Sequence, residues 1–254
     1  MTPRSRVVAL TALALALTGE GAVVQAATLD TRPVRPPAAR TALGTERLSD
    51  EERVTRVANA VLAAPVRRHP TGSSALVGRL RLKTEDGPLE VYLVLESRLD
   101  SLGRVWLHVR LPKRPNGQTG WVTEGALSDL RVVRTKLRLD RTTLRATLYR
   151  DGRKEWSSPI GVGASRTPTP AGRYWIRSRL RNLRGSTAYG PWAFGTSAYS
   201  VLSDWPGGGV VGIHGTNQPG LIPGRPSHGC VRVPNGMIRR LAVLMPIGTP
   251  VQIV

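Results

Sequence analysis

Short runs in which apolar and polar side chains alternate recur along most of the chain. Residues 89–95 are rich in Val and Leu, and apolar side chains alternate with polar or aromatic ones over residues 105–111. Because successive side chains of a strand point to opposite faces, both runs predict β-strands. The Pro-Asn-Gly sequence at 115–117 predicts a turn before another strand at 120–122. Five or so strands in about 70 residues predict a small β-barrel over residues 51–130.

The second half of the chain, residues 131–254, continues this alternation. Apolar and polar side chains alternate over residues 144–148, and Asp151 and Gly152 follow as a dipeptide typical of two-residue hairpin turns. The final residues, 251–254, again predict a strand. We therefore expect a second, mainly β domain.

One segment near the C-terminus has helical periodicity instead. Asn235 is a residue type that caps helices, and residues 251–254 follow after Pro246, which ends the segment. Its apolar side chains recur at the spacing of one helix face and are Met237, Ile238, Leu241 and Leu244. This pattern predicts a short helix packed on the β domain.

A second helix is predicted less distinctly at the start of the first domain. The Ser-Asp-Glu-Glu sequence at 49–52 resembles a capping box that opens a helix through Ala63. Val54, Val57 and Val61 would serve a strand nearly as well, so both structures stay open.

The N-terminal residues are typical of an export signal. Arg4 and Arg6 precede an apolar run of about eleven residues, and small residues at 24–26 favour cleavage before Ala27. The run is shorter than the roughly 20 residues that span a bilayer. We expect a signal peptide over residues 1–26 and an exported protein in the periplasm or cell wall without a stable membrane span, an uncleaved anchor being the alternative.

The segment after the predicted signal peptide is expected to be a linker. Residues 27–50 are rich in Pro and Arg and predict an extended linker.

The net charge is +20, and residues 131–254 hold nineteen Lys and Arg against four Asp and Glu. Such a charge favours anionic partners. Export argues for anionic wall polymers or a membrane surface and against nucleic acid, although an arginine-rich composition alone also explains the charge.

The only cysteine of the chain, Cys230, is the strongest candidate for chemistry. Exported proteins normally pair their cysteines in disulfides, and a single thiol is either buried and inert or kept reactive. The apolar run 210–213 predicts a strand that delivers His214 at its end, sixteen residues before Cys230. An imidazole within reach converts a thiol to a thiolate–imidazolium pair. We therefore expect Cys230 as nucleophile and His214 as its base.

The residues around the thiol suggest how a substrate is held. Gly229 allows close approach of backbone, and the N–H groups of Gly229 and Cys230 are candidates for an oxyanion hole. Arg232 would face the same side as Cys230 on an extended chain. It either binds a substrate carboxylate in a bidentate manner or holds the loop through backbone carbonyls.

These residues resemble a known family signature. The sequences Ile-His-Gly-Thr-Asn at 213–217 and Ser-His-Gly-Cys-Val-Arg at 227–232 are similar to the catalytic motif of the L,D-transpeptidase (YkuD-type) domain. Residues 167–172, 195–200 and 248–251 support the resemblance, which covers about 120 residues. Residues 106–122 also resemble bacterial SH3-like domains. The resemblance implies a YkuD-like β-sandwich or barrel with a packed helix over 131–254, preceded by an SH3-like barrel.

By this resemblance the protein is a peptidoglycan L,D-transpeptidase. Cys230 would be acylated by a donor stem peptide, and His214 would act as its base. The Gly215 carbonyl would orient an imidazole, and the residues that shape the substrate site would be Ser227, His228, Gly229 and Arg232. The resemblance implies no metal or organic cofactor. Met237 departs from it, because the family often has an acidic residue there.

Three alternatives stay open from the sequence. Water as acceptor would make the enzyme an L,D-carboxypeptidase, and an inactive domain would leave a wall-binding protein. His214, His228 and Cys230 together could instead be zinc ligands, since all three side chains bind that metal. His69 and His108 lack obvious partners and are expected to be structural, and the two tryptophans of the first domain, Trp106 and Trp121, are expected in its core.

Overall fold

The computed structural model describes residues 44–181, 187–204 and 206–254. The predicted signal peptide and residues 27–43 of the predicted linker lie outside these ranges. Within them the chain is mainly β with a single α-helix, which confirms the predicted fold class. None of the helices in these ranges has the length and apolar character that crossing a membrane requires.

The upstream half forms one eight-stranded sheet, ordered β4-β3-β7-β6-β5-β2-β8, with β1 also paired to β5. Its strands are β1 (Thr45–Arg47), β2 (Thr55–Asn59), β3 (Pro65–Arg67), β4 (Leu76–Arg79), β5 (Val91–Leu99), β6 (Val105–Arg110), β7 (Thr119–Thr123) and β8 (Arg131–Val133). A 3-10 helix, Glu124–Ala126, follows β7. Strands β5, β6 and β7 pair antiparallel where the alternating pattern predicted strands. The SH3-like character of this region remains a prediction.

The helix predicted through Ala63 is wrong, because this segment contains strand β2. The Asp50 Oδ1 atom accepts the N–H groups of Glu52, Arg53 and Val54, at 2.8, 2.8 and 2.9 Å, and so closes a turn rather than a helix. Beyond the turn, the burial of Val57 and the pairing of β2 with both β5 and β8 fix an extended chain. Tertiary pairing has overridden a local capping signal.

The downstream half forms a ten-stranded sheet, ordered β11-β10-β9-β18-β13-β14-β15-β17-β12-β16. Its strands are β9 (Thr135–Asp140), β10 (Arg145–Arg150), β11 (Arg153–Pro159), β12 (Gly161–Gly163), β13 (Gly172–Arg181), β14 (Trp192–Tyr199), β15 (Val210–His214), β16 (Gly224–Ser227), β17 (Val231–Arg232) and β18 (Pro250–Ile253). The 3-10 helices Thr187–Tyr189 and Pro219–Leu221 lie in its loops, and Pro206–Gly209 forms a turn with positive φ at Gly207 and Gly208. The predicted turn joins β10 to β11, with positive φ at Asp151 and Gly152.

The predicted C-terminal helix is α1, Asn235–Leu244. Ile238, Leu241 and Ala242 are buried against the downstream core, and Met237 and Leu244 pack at its edge. Asn235 does not cap the helix, because its Oδ1 atom accepts the backbone N–H of Thr216 at 2.9 Å. The side chain thereby ties the helix to the segment that follows His214.

The two sheets share a buried contact. Trp175, 2 % exposed, packs with Val57, Val91 and Leu93 of the upstream sheet and donates its indole N–H to the Val91 carbonyl at 2.7 Å. Burial of an aromatic side chain with its polar atom satisfied is a strong contribution to stability. The upstream sheet is therefore part of the support of strand β13.

The aromatic side chains of the upstream sheet lie where a core requires them. Trp106 and Trp121 are buried. His108 stacks on Trp121 with ring centroids 4.6 Å apart, and its ring nitrogens lie 3.0 Å from Glu96 Oε1 and 2.9 Å from Thr119 Oγ1. These contacts give His108 a structural role.

Candidate active site

Strand pairing brings Cys230 next to the strand that ends in His214. Strands β15 and β17 run parallel, with Ile213 opposite Val231 and His214 opposite Arg232. Cys230 immediately precedes β17, so it lies beside Gly212, two residues before His214 in the neighbouring strand. The glycine- and proline-rich loop between the two strands closes the sixteen-residue separation.

Gly212 lies between the thiol and the imidazole. Its backbone N–H donates to Cys230 Sγ at 3.4 Å. A β-carbon placed on Gly212 would lie 3.8 Å from Cys230 Sγ and 3.8 Å from His214 Cδ2. The sulfur and the imidazole thus border the same small space, which a larger side chain at position 212 would fill.

The His214 imidazole is buried and fixed in one orientation. It is 5 % exposed, and its Nδ1 atom lies 2.6 Å from the Gly215 carbonyl oxygen. A carbonyl can only accept a hydrogen bond, so Nδ1 carries the proton and Nε2 keeps its lone pair. Nε2 is therefore available to take a proton.

Burial favours the uncharged form of both groups at rest. Burial, with the nearby positive charge of Arg232, lowers the pKa of His214 to about 4, although the Gly215 carbonyl opposes this. Burial also raises the pKa of Cys230, against the Gly212 N–H and the charge of Arg232, which lower it. Both shifts favour a thiol and a neutral imidazole over the thiolate–imidazolium pair expected from the sequence, because a low-dielectric site disfavours both charges.

This pKa gives a prediction for the pH dependence of acylation. Because His214 stays neutral until about pH 4, the rate of Cys230 acylation by a small donor should hold down to about pH 5 and fall through about pH 4. His214→Ala should lower the rate by about 10²–10⁴-fold and remove this acid limb. Single-turnover rates across the pH range, with circular dichroism as the folding control, test it. An acid limb near the ordinary histidine value of about 6.5 would contradict it.

The turn that carries the thiol is held by hydroxyl groups. Ser227 Oγ donates to the Cys230 carbonyl at 2.5 Å, and Thr169 Oγ1 donates to the Gly229 carbonyl at 2.8 Å. Gly229 has φ +124°, and a β-carbon there would lie 3.0 Å from Ser200 Cβ. Only glycine fits this conformation readily, so the residue before the nucleophile is required by backbone geometry.

The predicted oxyanion hole is reduced to one amide of this turn. The Gly229 N–H donates to Ser227 Oγ at 3.2 Å and is therefore occupied. The Cys230 N–H has no hydrogen-bond partner among the residues that the structure describes. It is the amide of the turn that can receive a developing oxyanion.

Arg232 lies close enough to influence both reactive groups, since its charge lowers the pKa of each. Its Nη1 atom donates to Gln218 Oε1 at 2.8 Å. Its Nε atom is buried and has no hydrogen-bond partner within the described ranges. A loop-holding role predicts hydrogen bonds from Arg232 to backbone carbonyls, whereas the observed bond is to the Gln218 side chain. The Nε–H group remains available as a donor to another group.

The other predicted histidine is placed differently. His228 is exposed, whereas His214 is buried against its carbonyl partner. The geometry therefore favours His214 over His228 as the candidate base. For the zinc alternative, no group of three His, Cys, Asp or Glu side chains arranged to hold a metal occurs in the described ranges.

Sequence reasoning missed Tyr189. Its ring centroid lies 4.7 Å from that of His214 with the planes tilted by 59°, and burial together with the Cys230 charge raises its pKa. Tyr189 covers the imidazole because Gly190 packs directly on Gly215, where a β-carbon on Gly190 would come within 2.6 Å of the Gly215 Cα atom. A lone tyrosine before a Gly-Pro pair gives no sequence signal for this role.

Comparison with known proteins identifies a family that matches the downstream half of the chain. Residues 134–253 match the model of the YkuD family, described as the L,D-transpeptidase catalytic domain, which confirms the resemblance. The putative L,D-transpeptidase YkuD of Bacillus subtilis strain 168 is 36 % identical over 107 residues, 42 % of this chain and 58 % of the relative. The Bacillus licheniformis protein of the same name is 36 % identical over 120 residues, 47 % of this chain and 64 % of the relative.

Among solved structures, the catalytic domain of an E. faecium L,D-transpeptidase, determined by NMR, aligns with 47 % of this chain and 96 % of its own length. Its sequence identity is 25 % and the TM-score is 0.36. Residues 134–253, which match the family model, contain every residue that the sequence placed in the candidate site.

Proposed function

We propose, from the match of residues 134–253 to the L,D-transpeptidase catalytic domain, that this protein is an exported peptidoglycan L,D-transpeptidase that forms 3→3 cross-links. One observation carries the proposal: a buried imidazole, oriented by the Gly215 carbonyl, borders the same space as a single thiol. Its substrates are stem peptides of the wall, and it acts in the periplasm or cell wall.

In the first half-reaction the Cys230 sulfur attacks the carbonyl carbon that joins the third residue of a donor stem to its terminal D-alanine. The thiol proton moves to His214 Nε2, and the Cys230 N–H stabilises the oxyanion of the tetrahedral intermediate. The carbon–nitrogen bond then breaks, and the imidazolium gives its proton to the leaving amine. D-alanine leaves and a thioester remains on Cys230.

In the second half-reaction the side-chain amine of a second stem attacks the thioester carbon. His214 accepts a proton from this amine, the carbon–sulfur bond breaks, and the thiolate regains the proton. The product is an amide between the third residues of two stems. Water in place of the amine gives a shortened stem with a free carboxylate, which is the carboxypeptidase alternative.

Product analysis on a defined tetrapeptide-stem muropeptide tests the proposal. Mass spectrometry should find free D-alanine together with a dimer joined through the third residues. D-alanine with shortened monomer alone would establish the carboxypeptidase. No release of D-alanine, with binding to isolated walls retained, would establish a wall-binding protein.

Arg232 gives a second prediction. If its unpartnered Nε and remaining N–H groups bind the carboxylate of the donor, Arg232→Ala should raise the donor KM by about tenfold or more, since a hydrogen bond to a charged group is worth about 1.5–3 kcal/mol. Arg232→Lys should raise it less, because the charge remains while the bidentate geometry is lost.

Steady-state kinetics and melting temperatures of both variants check this role. The rate of Cys230 alkylation, which needs no carboxylate, is the control and should change less than the donor KM. If both variants instead melt at lower temperature and lose rate equally toward all acyl donors, Arg232 only holds the loop.

A further inference from the structure

A cavity of about 500 Å³ lies at the junction of the two sheets and includes none of the site residues described above. Its charged and hydroxyl lining consists of Arg79, Arg81, Glu85, Lys113, Arg114 and Tyr199. The volume is in the range of small-molecule sites. All four cations belong to the upstream half of the chain, whose net charge is small. Their grouping around the cavity is therefore a local concentration of positive charge and does not reflect the charge of that half as a whole.

The one carboxylate of the lining offsets only one of these cations, because it is paired with Arg81 and with an arginine outside the lining. Glu85 lies 2.9 Å from Arg81 Nη2 through Oε1 and 2.9 Å from Arg177 Nη2 through Oε2. The Tyr199 hydroxyl also donates to Glu85 at 2.6 Å. Arg177 lies outside the cavity lining and also pairs with Glu90, which lies 3.8 Å from Arg81, so the two arginines and two glutamates carry no net charge as a group. The uncompensated positive charge of the lining belongs to Arg79, Lys113 and Arg114. The remaining field in the cavity is positive.

Two of the cations build the walls of the cavity. Arg114 donates to the carbonyls of Gly208, Ser200 and Leu202 at 2.9, 3.0 and 3.0 Å, and its guanidinium lies 4.7 Å from the centre of the Tyr199 ring. Arg81 donates to the Pro112 carbonyl at 3.2 Å and to the Tyr199 hydroxyl at 3.0 Å.

The other two cations keep most of their donors. The Lys113 ammonium donates to the Val77 carbonyl at 2.8 Å, which leaves two of its three N–H groups. Arg79 is exposed and donates to the Ala63 carbonyl at 3.2 Å through one of its five N–H groups. Lys113 and Arg79 are thus the residues that can pair with an incoming anion.

We propose that this cavity binds an anionic unit of a wall polymer, a sugar or amino-acid unit that carries a phosphate or a carboxylate. The proposal rests on the wall substrate of the proposed function and adds a binding site for it outside the candidate active site. Ser200, which follows Tyr199, approaches Gly229 next to the nucleophile. A polymer chain bound in the cavity would therefore lie beside Tyr199 and Ser200, which adjoin the turn that carries Cys230.

Binding of three short probes tests the proposal: a glycerol-phosphate oligomer, an oligoglutamate and an uncharged chito-oligosaccharide. Isothermal titration at low ionic strength uses the full chain carrying Cys230→Ala, so that the result is independent of acyl transfer. Arg79→Gln with Lys113→Gln should weaken binding of the preferred anion by about tenfold or more, about 1.4 kcal/mol. The matched control, Arg239→Gln with Arg240→Gln on the exposed face of α1, should change it by about twofold or less.

The two anionic probes distinguish the sources of the ligand. Tighter binding of the glycerol-phosphate oligomer indicates a phosphodiester polymer, and tighter binding of the oligoglutamate indicates stem carboxylates. An equal loss in the cavity variant and in its control would show diffuse attraction and overturn the proposal. Failure of both anions to bind more tightly than the uncharged oligomer would also overturn it.

Discussion

Cys230→Ala is expected to abolish release of D-alanine from a tetrapeptide stem while leaving the protein folded. Loss of the nucleophile from an acyl-transfer enzyme lowers the rate by about 10⁶-fold. Cys230 is half-buried, and Ser227 and Thr169 hold its turn through backbone carbonyls rather than through the sulfur. The turn should therefore keep its conformation when the sulfur is removed. The unfolding free energy should change by about 1 kcal/mol or less. A D-alanine assay and urea unfolding of the same preparation measure the two effects.

Cys230→Ser and His228→Ala are the controls for this result. The serine variant keeps the shape of the turn and should also be inactive, because a neutral imidazole with a lowered pKa is a weak base for a hydroxyl. His228 is exposed, so its replacement should cost much less activity. Turnover by the alanine variant above background would remove Cys230 from the mechanism. A larger loss from His228→Ala than from His214→Ala would exchange the roles of the two imidazoles.

Glu90→Ala is expected to have the largest effect on stability. Glu90 is 0 % exposed and Arg177 is 2 % exposed. The Arg177 Nε atom donates to Glu90 Oε1 at 2.8 Å, and Nη2 pairs with the second carboxylate oxygen. Removal of Glu90 leaves the buried Arg177 with the more exposed Glu85 as its carboxylate partner, and breaking a buried ion pair costs about 3–5 kcal/mol. Urea unfolding should show this loss in a single transition, because the pair joins the upstream sheet to strand β13.

An exposed ion pair across the same two halves of the chain is the matched control. Lys136 lies 2.5 Å from Glu52, whose side chain is 53 % exposed. Glu52→Ala should cost about 1 kcal/mol or less, because exposed pairs are screened by water. Replacing Glu90 and Arg177 together by apolar residues of similar volume should recover much of the loss. If Glu90→Ala and Glu52→Ala destabilise equally, the buried pair is not a support of the fold.

Local sequence signals were sufficient for the parts of the protein that are local in structure. The alternation over residues 105–111 corresponds to β6, and Asp151-Gly152 forms the predicted hairpin turn. The run 210–213 forms strand β15, which ends in His214, and pairing with β17 places Cys230 beside Gly212 of that strand. These features depend on periodicity and on residue types with strong backbone preferences.

Long-range packing decided what the sequence could not. Residues 55–59 form a strand because two neighbouring strands pair with them, although a capping pattern precedes them. The direction of the pKa shifts of the thiol and the imidazole follows from burial, which no local pattern encodes. Glu90 and Arg177 are 87 positions apart, and neither belongs to a motif. Tyr189 reaches His214 only through the packing of Gly190 on Gly215.

The most direct test of the account is the location of the acyl group. The protein is incubated with a carbapenem or a donor stem, its intact mass is measured, and the modified peptide is identified after digestion. We expect one acyl group per chain, located on the peptide that contains Cys230. This acyl group should form more slowly in the His214→Ala variant. An acyl group on another residue, or release of D-alanine from the donor stem without acylation of Cys230, would contradict it.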